Sequence, residues 1–186
     1  MPGQGEKNLA GHPPTTVKEQ ALTEYIHVVG IDPGLVHTGA VRFLFRPALK
    51  EVDIHHAAFS GTRPEPVRDW VHDGAYRVRP QVFIEGYRPR SHFAGDQKMV
   101  TAVNEMRKMT GGMALLNEGV KKVIRPELMR LLDVWSFSTA THHQDLRSAA
   151  RIALYGMVKT PWMNQVLADL VRDHLEGDTW KVSACS

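Results

Sequence analysis

Residues 25–34 read Tyr-Ile-His-Val-Val-Gly-Ile-Asp-Pro-Gly, an apolar and β-branched run closed by an acid, a proline and a glycine. This pattern predicts a buried strand that ends at Asp32, because a Pro-Gly pair favours a turn. Two further strand patterns, residues 39–45 and 50–59, follow after short links. Three adjacent strands joined in this way predict an antiparallel meander.

Strands alternate with helices in the rest of the chain. The later predicted strands are 81–85 and 120–124, and the predicted helices are 64–77, 95–116, 126–132, 142–158 and 162–175. Alternation of this kind implies parallel strands with right-handed crossovers. The sequence therefore predicts an α/β fold with a mixed five-stranded sheet, three antiparallel strands followed by parallel ones, and helices on both faces.

The length of 186 residues suits one domain. Residues 1–24, rich in glycine, proline and polar side chains, predict a flexible N-terminal arm, residues 25–177 a globular domain, and residues 178–186 a C-terminal tail. No apolar run approaches the roughly 18 residues of a membrane span, and no signal peptide is visible. The single cysteine, Cys185, excludes an internal disulfide. We expect a cytoplasmic protein with no membrane association.

The net charge is only +3, but residues 86–130 carry nine basic and four acidic side chains. Charge alone favours a solvated face over a binding surface. The chain contains no Gly-x-Gly-x-x-Gly or P-loop motif, so dinucleotide-binding and P-loop functions lack support.

Acidic side chains stand at comparable places in two predicted strands and in one helix. Asp32 ends the first strand, Glu85 ends the strand 81–85, and strand ends of this kind build the sites of open α/β sheets. Asp145 and His142 continue the apolar stripe of the predicted helix 142–158 towards its N-terminus, so they should face the sheet. Taken singly, Asp32 and Asp145 are also explained as a turn residue and a first-turn helix acid.

Three carboxylates and an imidazole held together favour a divalent metal site. Oxygen ligands favour Mg²⁺, with Mn²⁺ as a substitute, and neighbouring carboxylates repel one another unless a cation neutralises them. Two such ions about 4 Å apart can activate water and stabilise the leaving oxygen in phosphodiester hydrolysis. The basic residues of the 86–130 stretch would then hold a phosphate backbone around the acidic centre.

Three motifs resemble those of the RuvC family of Holliday junction resolvases. Gly30-Ile-Asp-Pro-Gly34 followed by Thr38-Gly39 resembles the opening motif, and Ile84-Glu85 resembles the second acidic motif. His142-x-x-Asp145, leading into an alanine-rich helix, resembles the C-terminal motif, which carries two aspartates or a histidine and an aspartate at this spacing. The order and separations fit over about residues 25–158, most of the chain.

The resemblance implies a ribonuclease H-like fold and a Mg²⁺-dependent homodimer that nicks opposed strands of a four-way junction. The ends would be 5′-phosphate and 3′-hydroxyl, with two metal ions in each active site. Asp32, Glu85, His142 and Asp145 would form the catalytic metal site, in which Asp32 bridges both ions and His142 helps to bind one of them or the attacking water.

The chain departs from the family at the aromatic residue that often stands three positions after the second acid. Here that position holds Arg88, and Tyr87 either takes the stacking role or packs on its own domain. The predicted DNA-binding residues are Tyr87, Arg88, Arg90, Lys98, Lys121, Lys122 and Arg125. The N-terminal arm is extra to the family pattern and suggests a phage-encoded member.

Other functions compete with the junction resolvase. A nuclease of the same fold could act on flaps, forks and other branched DNA, and an RNA-processing nuclease has a similar opening motif but a C-terminal signature without a match here. A sugar-kinase or actin-like ATPase needs two lobes, which 186 residues do not supply. A DNA-binding scaffold without catalysis would not need four candidate metal ligands.

Overall fold

The computed structural model describes residues 25–73, 78–89, 94–137 and 142–185, which form one sheet covered by helices on both faces. The strands are β1 (Ile26–Asp32), β2 (His37–Arg46), β3 (Glu51–Ser60), β4 (Gln81–Gly86), β5 (Met113–Leu116) and β6 (Lys181–Cys185). The helices are α1 (Pro64–Val71), α2 (Ala94–Thr110), α3 (Val120–Val123), α4 (Pro126–Leu131), α5 (His143–Lys159) and α6 (Pro161–Leu175). None of these helices is both long enough and apolar enough to cross a bilayer.

The strands lie in the order β5-β4-β1-β2-β3-β6. β1, β2 and β3 pair antiparallel, β4 is parallel to β1, and β5 is parallel to β4. This arrangement confirms the predicted mixed sheet of ribonuclease H-like architecture, with the meander first and the parallel strands after it. The predicted number of five strands is wrong, because the described part of the sheet contains six.

The additional strand comes from the segment predicted as a C-terminal tail. Residues 181–185 pair in parallel with residues 51–55 of β3, and the Lys181 N–H donates to the Lys50 carbonyl over 2.8 Å. Pairing is favourable there because β3 would otherwise present a row of unpaired backbone groups. The predicted N-terminal arm, residues 1–24, lies outside the described residues, and the predicted domain boundaries stay a prediction.

The fifth strand is not where the sequence placed it. Residues 120–124, predicted as a strand, instead form the short helix α3, and β5 comes from residues 113–116, which were predicted to end a long helix. That helix stops earlier because Gly111, directly after α2, takes a positive φ of 70°. The chain after the glycine is then free to pair with β4.

Helix α5 lies across one face of the sheet and contributes more residues to the larger of the two described hydrophobic cores than any other element. The predicted apolar stripe is buried, as its residues Leu146, Ala149, Ala150, Ala153, Leu154 and Met157 show. On the opposite face, Val67 and Val71 of α1 and Met106 of α2 pack against Ile31 and Ile84 in a smaller core. Helices on both faces are thereby confirmed.

Two glycines let the backbone of α5 approach the sheet closely. A Cβ atom at Gly30 of β1 would lie 1.9 Å from the carbonyl oxygen of Ala149 and 2.8 Å from the amide nitrogen of Ala153. A Cβ atom at Gly39 of β2 would lie 2.6 Å from the carbonyl carbon of Asp145. The first turn of α5 is therefore held against the ends of β1 and β2.

Candidate active site

Asp32 and Glu85 lie side by side at the ends of two parallel strands. Ile31 of β1 pairs with Ile84 of β4, so the next residue of each strand is an acid. Side chains alternate between the faces of a sheet, and both isoleucines face the smaller core, so both acids face α5. The two carboxyl groups are hydrogen-bonded to each other. The structure thus brings together the two acids that the sequence placed at equivalent strand ends.

Asp145 approaches this pair from the first turn of α5. Asp32 pairs across the sheet with Gly39, and the backbone of Asp145 occupies the space that a Gly39 side chain would need. The Asp145 carboxylate is consequently close enough for its charge to act on Asp32. Three acids from β1, β4 and α5 converge on one end of the sheet.

The electrostatics of this site are unfavourable for negative charge. Burial, together with the charges of Glu85 and Asp145, raises the pKa of the Asp32 carboxyl from its ordinary 3.8 to about 8. A hydrogen bond that the protonated Asp32 carboxyl donates to Glu85 raises this pKa further, whereas a hydrogen bond with Ser148 opposes the shift. Near neutral pH the pair holds a proton, because three carboxylates this close cannot all ionise without a counter-charge.

His142 stands directly before α5 and is its N-terminal capping position. Its Nδ1 atom lies 4.0 Å from the Asp145 Oδ2 atom, and its ring centroid lies 3.9 Å from that of His37. No side-chain hydrogen bond caps the helix at this position. The neighbouring His143 is exposed.

The side chains at this site match a hard divalent cation in chemistry, although they do not form a finished ligand set. Carboxylate oxygens are the ligands that Mg²⁺ prefers, and the raised pKa of Asp32 reports negative charge that lacks a positive partner. Within the described ranges, however, no three His, Cys, Asp or Glu side chains converge tightly enough to hold a metal ion as they stand. Binding would require small shifts of these side chains.

The raised pKa of Asp32 makes the stability of the fold depend on pH and on divalent cations. Between its ordinary pKa of 3.8 and about 8, the folded state binds more protons than the unfolded state. The free energy of unfolding should therefore fall as pH rises through this window, and Mg²⁺ should restore it near pH 8. The check is the Tm difference between the wild type and Asp32→Asn at pH 5 and pH 8, with and without Mg²⁺. A difference independent of both conditions would contradict this electrostatic account.

Several predicted DNA-binding residues surround a cavity that opens beside Glu85. The cavity measures about 600 Å³, and Tyr87, Arg88, Lys121 and Lys122 line it together with Glu85. The basic residues follow β4 and enter α3, so two separate segments bring positive charge to the acidic strand end. The exposed guanidinium of Arg88 forms an ion pair with Glu118 over 2.7 Å, which is weak because both groups are solvated.

Tyr87 packs on its own domain. Its ring is half-buried against the smaller core, and its hydroxyl donates a hydrogen bond to Asp96. Its stacking role stays a prediction that this packing does not favour.

The remaining predicted DNA-binding residues are less closely grouped. Lys98 lines a different cavity, between α2 and the loop after β1, with Leu35 and Thr62. Arg125 is exposed directly before α4. Arg90 lies outside the described residues.

Sequence patterns did not single out three residues that hold the site in place. Asn117, which follows β5, donates its side-chain N–H to the Glu85 carboxylate. Ser148 bonds to Asp32 and lies one turn after Asp145 on the same side of α5, so helical spacing was a usable signal for it. His37 is the first residue of β2 and contacts His142. The turn after Asp32 brings His37 to this place, so no local sequence pattern indicated the contact.

Sheet order, helices on both faces and acids at the strand ends define an α/β protein of ribonuclease H-like architecture with a carboxylate site.

No protein-family model and no curated protein matches the chain. Among solved structures, it is similar to Thermus thermophilus RuvC in complex with a Holliday junction substrate, with 21% identity, a TM-score of 0.48, and coverage of 77% of this chain and 96% of that one. A second Thermus thermophilus RuvC structure has 18% identity, a TM-score of 0.44, and coverage of 78% and 97%. The similarity concerns the fold, so the function has to be derived from the chain's own residues.

Proposed function

We propose that this chain is a metal-dependent, structure-selective DNA endonuclease that resolves four-way junctions by paired, symmetric nicks. The observation that carries the proposal is the convergence of Asp32, Glu85 and Asp145 on one sheet end, where one carboxyl holds a proton in the absence of a cation. A cluster of acids that opposes its own ionisation is suited to a function that recruits positive charge. The basic cavity beside Glu85 supplies a path for an anionic polymer.

Asp32, Glu85, Asp145 and His142 would hold Mg²⁺, with two ions in each active site and Mn²⁺ as a substitute. When bound, the ions supply activated water and stabilise the leaving oxygen in phosphodiester hydrolysis. The protein fixes the position of each acid: Asn117 orients Glu85, Ser148 orients Asp32, and the close packing on Gly39 sets the height of Asp145 above the sheet. The His37 ring restricts His142 from the other side.

Symmetric cleavage requires two such sites, so we propose a homodimer whose two-fold axis matches that of the junction. Each subunit would cut one of two opposed strands and leave a 5′-phosphate and a 3′-hydroxyl. The origin of the chain in a phage stays a prediction.

One observation favours a second candidate, a nuclease with broader selectivity for flaps and forks. The position three residues after Glu85 holds Arg88, and the neighbouring Tyr87 packs against its own domain. Without a free aromatic side chain there, insertion between base pairs at a junction centre is less favoured. Binding would then depend more on phosphate contacts, which all branched DNA offers.

A single cleavage assay separates these functions. The protein is incubated with an end-labelled four-way junction, a flap, a fork and a linear duplex of the same arm sequence, with Mg²⁺ or with EDTA. We expect cutting in Mg²⁺ only, strongest for the junction and at symmetric positions. Equal cutting of the junction, the flap and the fork would favour the second candidate. If the linear duplex is cut equally as well, structure selectivity is excluded. If none of the four substrates is cut, the nuclease function is excluded.

A further inference from the structure

Three arginines of α4 and α5 lie outside the set that sequence patterns suggested. Arg130 at the end of α4 and Arg147 of α5 both stack on Trp135, and Arg151 follows Arg147 by about one helical turn; these three residues are called here the arginine cluster. Arg147 and Arg151 are four residues apart, so their side chains emerge from the same side of the helix.

Trp135 fixes the positions of two of these guanidinium groups. The Arg147 Cζ atom lies 4.6 Å and the Arg130 Cζ atom 4.9 Å from the centroid of the Trp135 ring. The ring is partly buried against the larger core, so it cannot move freely. Stacking on an aromatic face orients a guanidinium while leaving its N–H groups available.

Positive charge is concentrated here beyond what the surroundings neutralise. The Nε atoms of Arg147 and Arg151 are buried and have no hydrogen-bond partner among the described residues. Among the ion pairs of the described residues, none involves Arg147 or Arg151, and Arg130 reaches Glu127 only at 3.9 Å. Burial and the charge of Arg147 lower the pKa of Arg151, while the charge of Glu85 opposes that shift. Two half-buried guanidinium groups that repel one another, each with a buried and unbonded Nε atom, favour the binding of an anion between them.

We propose that Arg147 and Arg151 bind a phosphodiester group of the nucleic-acid strand that passes the carboxylate site, and that Trp135 is the positioning residue for Arg147. The proposal rests on the proposed function for the identity of the anion. Its geometric basis is the position of Arg151 on the flank of α5. This residue is near enough to Glu85 for the charge of that carboxylate to act on its guanidinium. A phosphate held there lies next to the acids without being the group that they act on, and its attraction to the two arginines offsets the repulsion between DNA and the acidic centre.

The test measures DNA binding in EDTA, where cleavage does not interfere. Dissociation constants for a four-way junction are determined over a range of salt concentrations for the wild type, Arg147→Gln and Arg151→Gln. Each substitution should weaken binding about tenfold and reduce the slope of log Kd against log salt by about 1 unit. The matched control is Arg68→Gln, which removes the same charge from an exposed side chain of α1 on the other face of the sheet, where its described partner is Asp69. It should leave both quantities unchanged.

Conservative variants separate binding from folding. Arg151→Lys keeps the charge and should retain the wild-type salt slope, while Trp135→Phe keeps a ring under Arg147 and should bind better than Trp135→Ala. An unchanged salt slope in both Gln variants, or no binding of DNA by the wild type, overturns the proposal. If the Gln variants differ from the wild type in salt slope as expected, but the wild type cuts no branched DNA, the proposed function is overturned and the phosphate site is retained.

Discussion

Asp32→Asn should abolish Mg²⁺-dependent cleavage while preserving DNA binding. Asparagine keeps the size of the side chain and its hydrogen bond with Ser148, but it cannot carry the negative charge that a cation needs. Substitution of a residue that only supports a metal ligand typically lowers activity about 10–100-fold. Because Asp32 would be a ligand itself, its substitution should lower activity by more than that. Single-turnover cleavage of a labelled junction gives the rate, and a binding assay in EDTA gives the affinity.

The matched control for this variant is Asp69→Asn. Asp69 is an exposed acid on the opposite face of the sheet whose described partner is its neighbour Arg68, so the same chemical change there should leave cleavage intact. Junction binding in EDTA near neutral pH should stay close to that of the wild type, because the Asp32 carboxyl already carries a proton there and repels no phosphate. Cleavage by Asp32→Asn at the wild-type rate would exclude Asp32 from the proposed metal site.

Gly30→Ala should produce the largest loss of stability. The added Cβ atom would lie 1.9 Å from the Ala149 carbonyl oxygen and 2.8 Å from the Ala153 amide nitrogen. Both contacts are with backbone atoms of α5, so no side chain can rotate away, and the helix must move off the sheet. We expect the free energy of unfolding to fall by about 3 kcal/mol or more, measured by urea denaturation.

Gly95→Ala provides the control for this substitution. Gly95 lies in the first turn of α2, and a Cβ atom there would meet no atom within 4 Å. Alanine favours the helix over glycine, so this variant should be as stable as the wild type or slightly more stable. Unfolding of Gly30→Ala at the wild-type urea concentration would show that α5 does not need this close contact.

The central part of the fold follows from the sequence because local pattern and tertiary structure agree there. The run that ends at Asp32 is apolar on both faces, as a central strand requires, and the stripe of α5 has the spacing of a helix packed on a sheet. These two elements alone bring Asp32 and Asp145 together. The strand 81–86 adds Glu85 by the same alternation of side chains.

The edges of the sheet do not follow from the sequence, since pairing there overrides local preference. Residues 113–116, Met-Ala-Leu-Leu, are good helix formers that become a strand only because β4 offers a partner. Residues 120–123, Val-Lys-Lys-Val, offer too short a pattern to separate a strand from a helix. The strand at residues 181–185, Lys-Val-Ser-Ala-Cys, has a single β-branched side chain and forms because β3 offers a partner. Likewise, the arginine cluster joins residues of α4 and α5 that no local sequence pattern relates and that meet at Trp135 only in the folded chain.

The pairing of β6 with β3 also has a consequence for how the chain is made. β3 and β6 are separated by most of the described sequence, so this contact forms with a large loss of chain entropy and late in folding. While a ribosome synthesises the chain, β3 remains an open edge until residues 181–185 have emerged, long after its other neighbour β2 is in place. Such an edge can pair with another nascent chain. The yield of soluble protein should consequently depend on how quickly translation proceeds from β3 to β6.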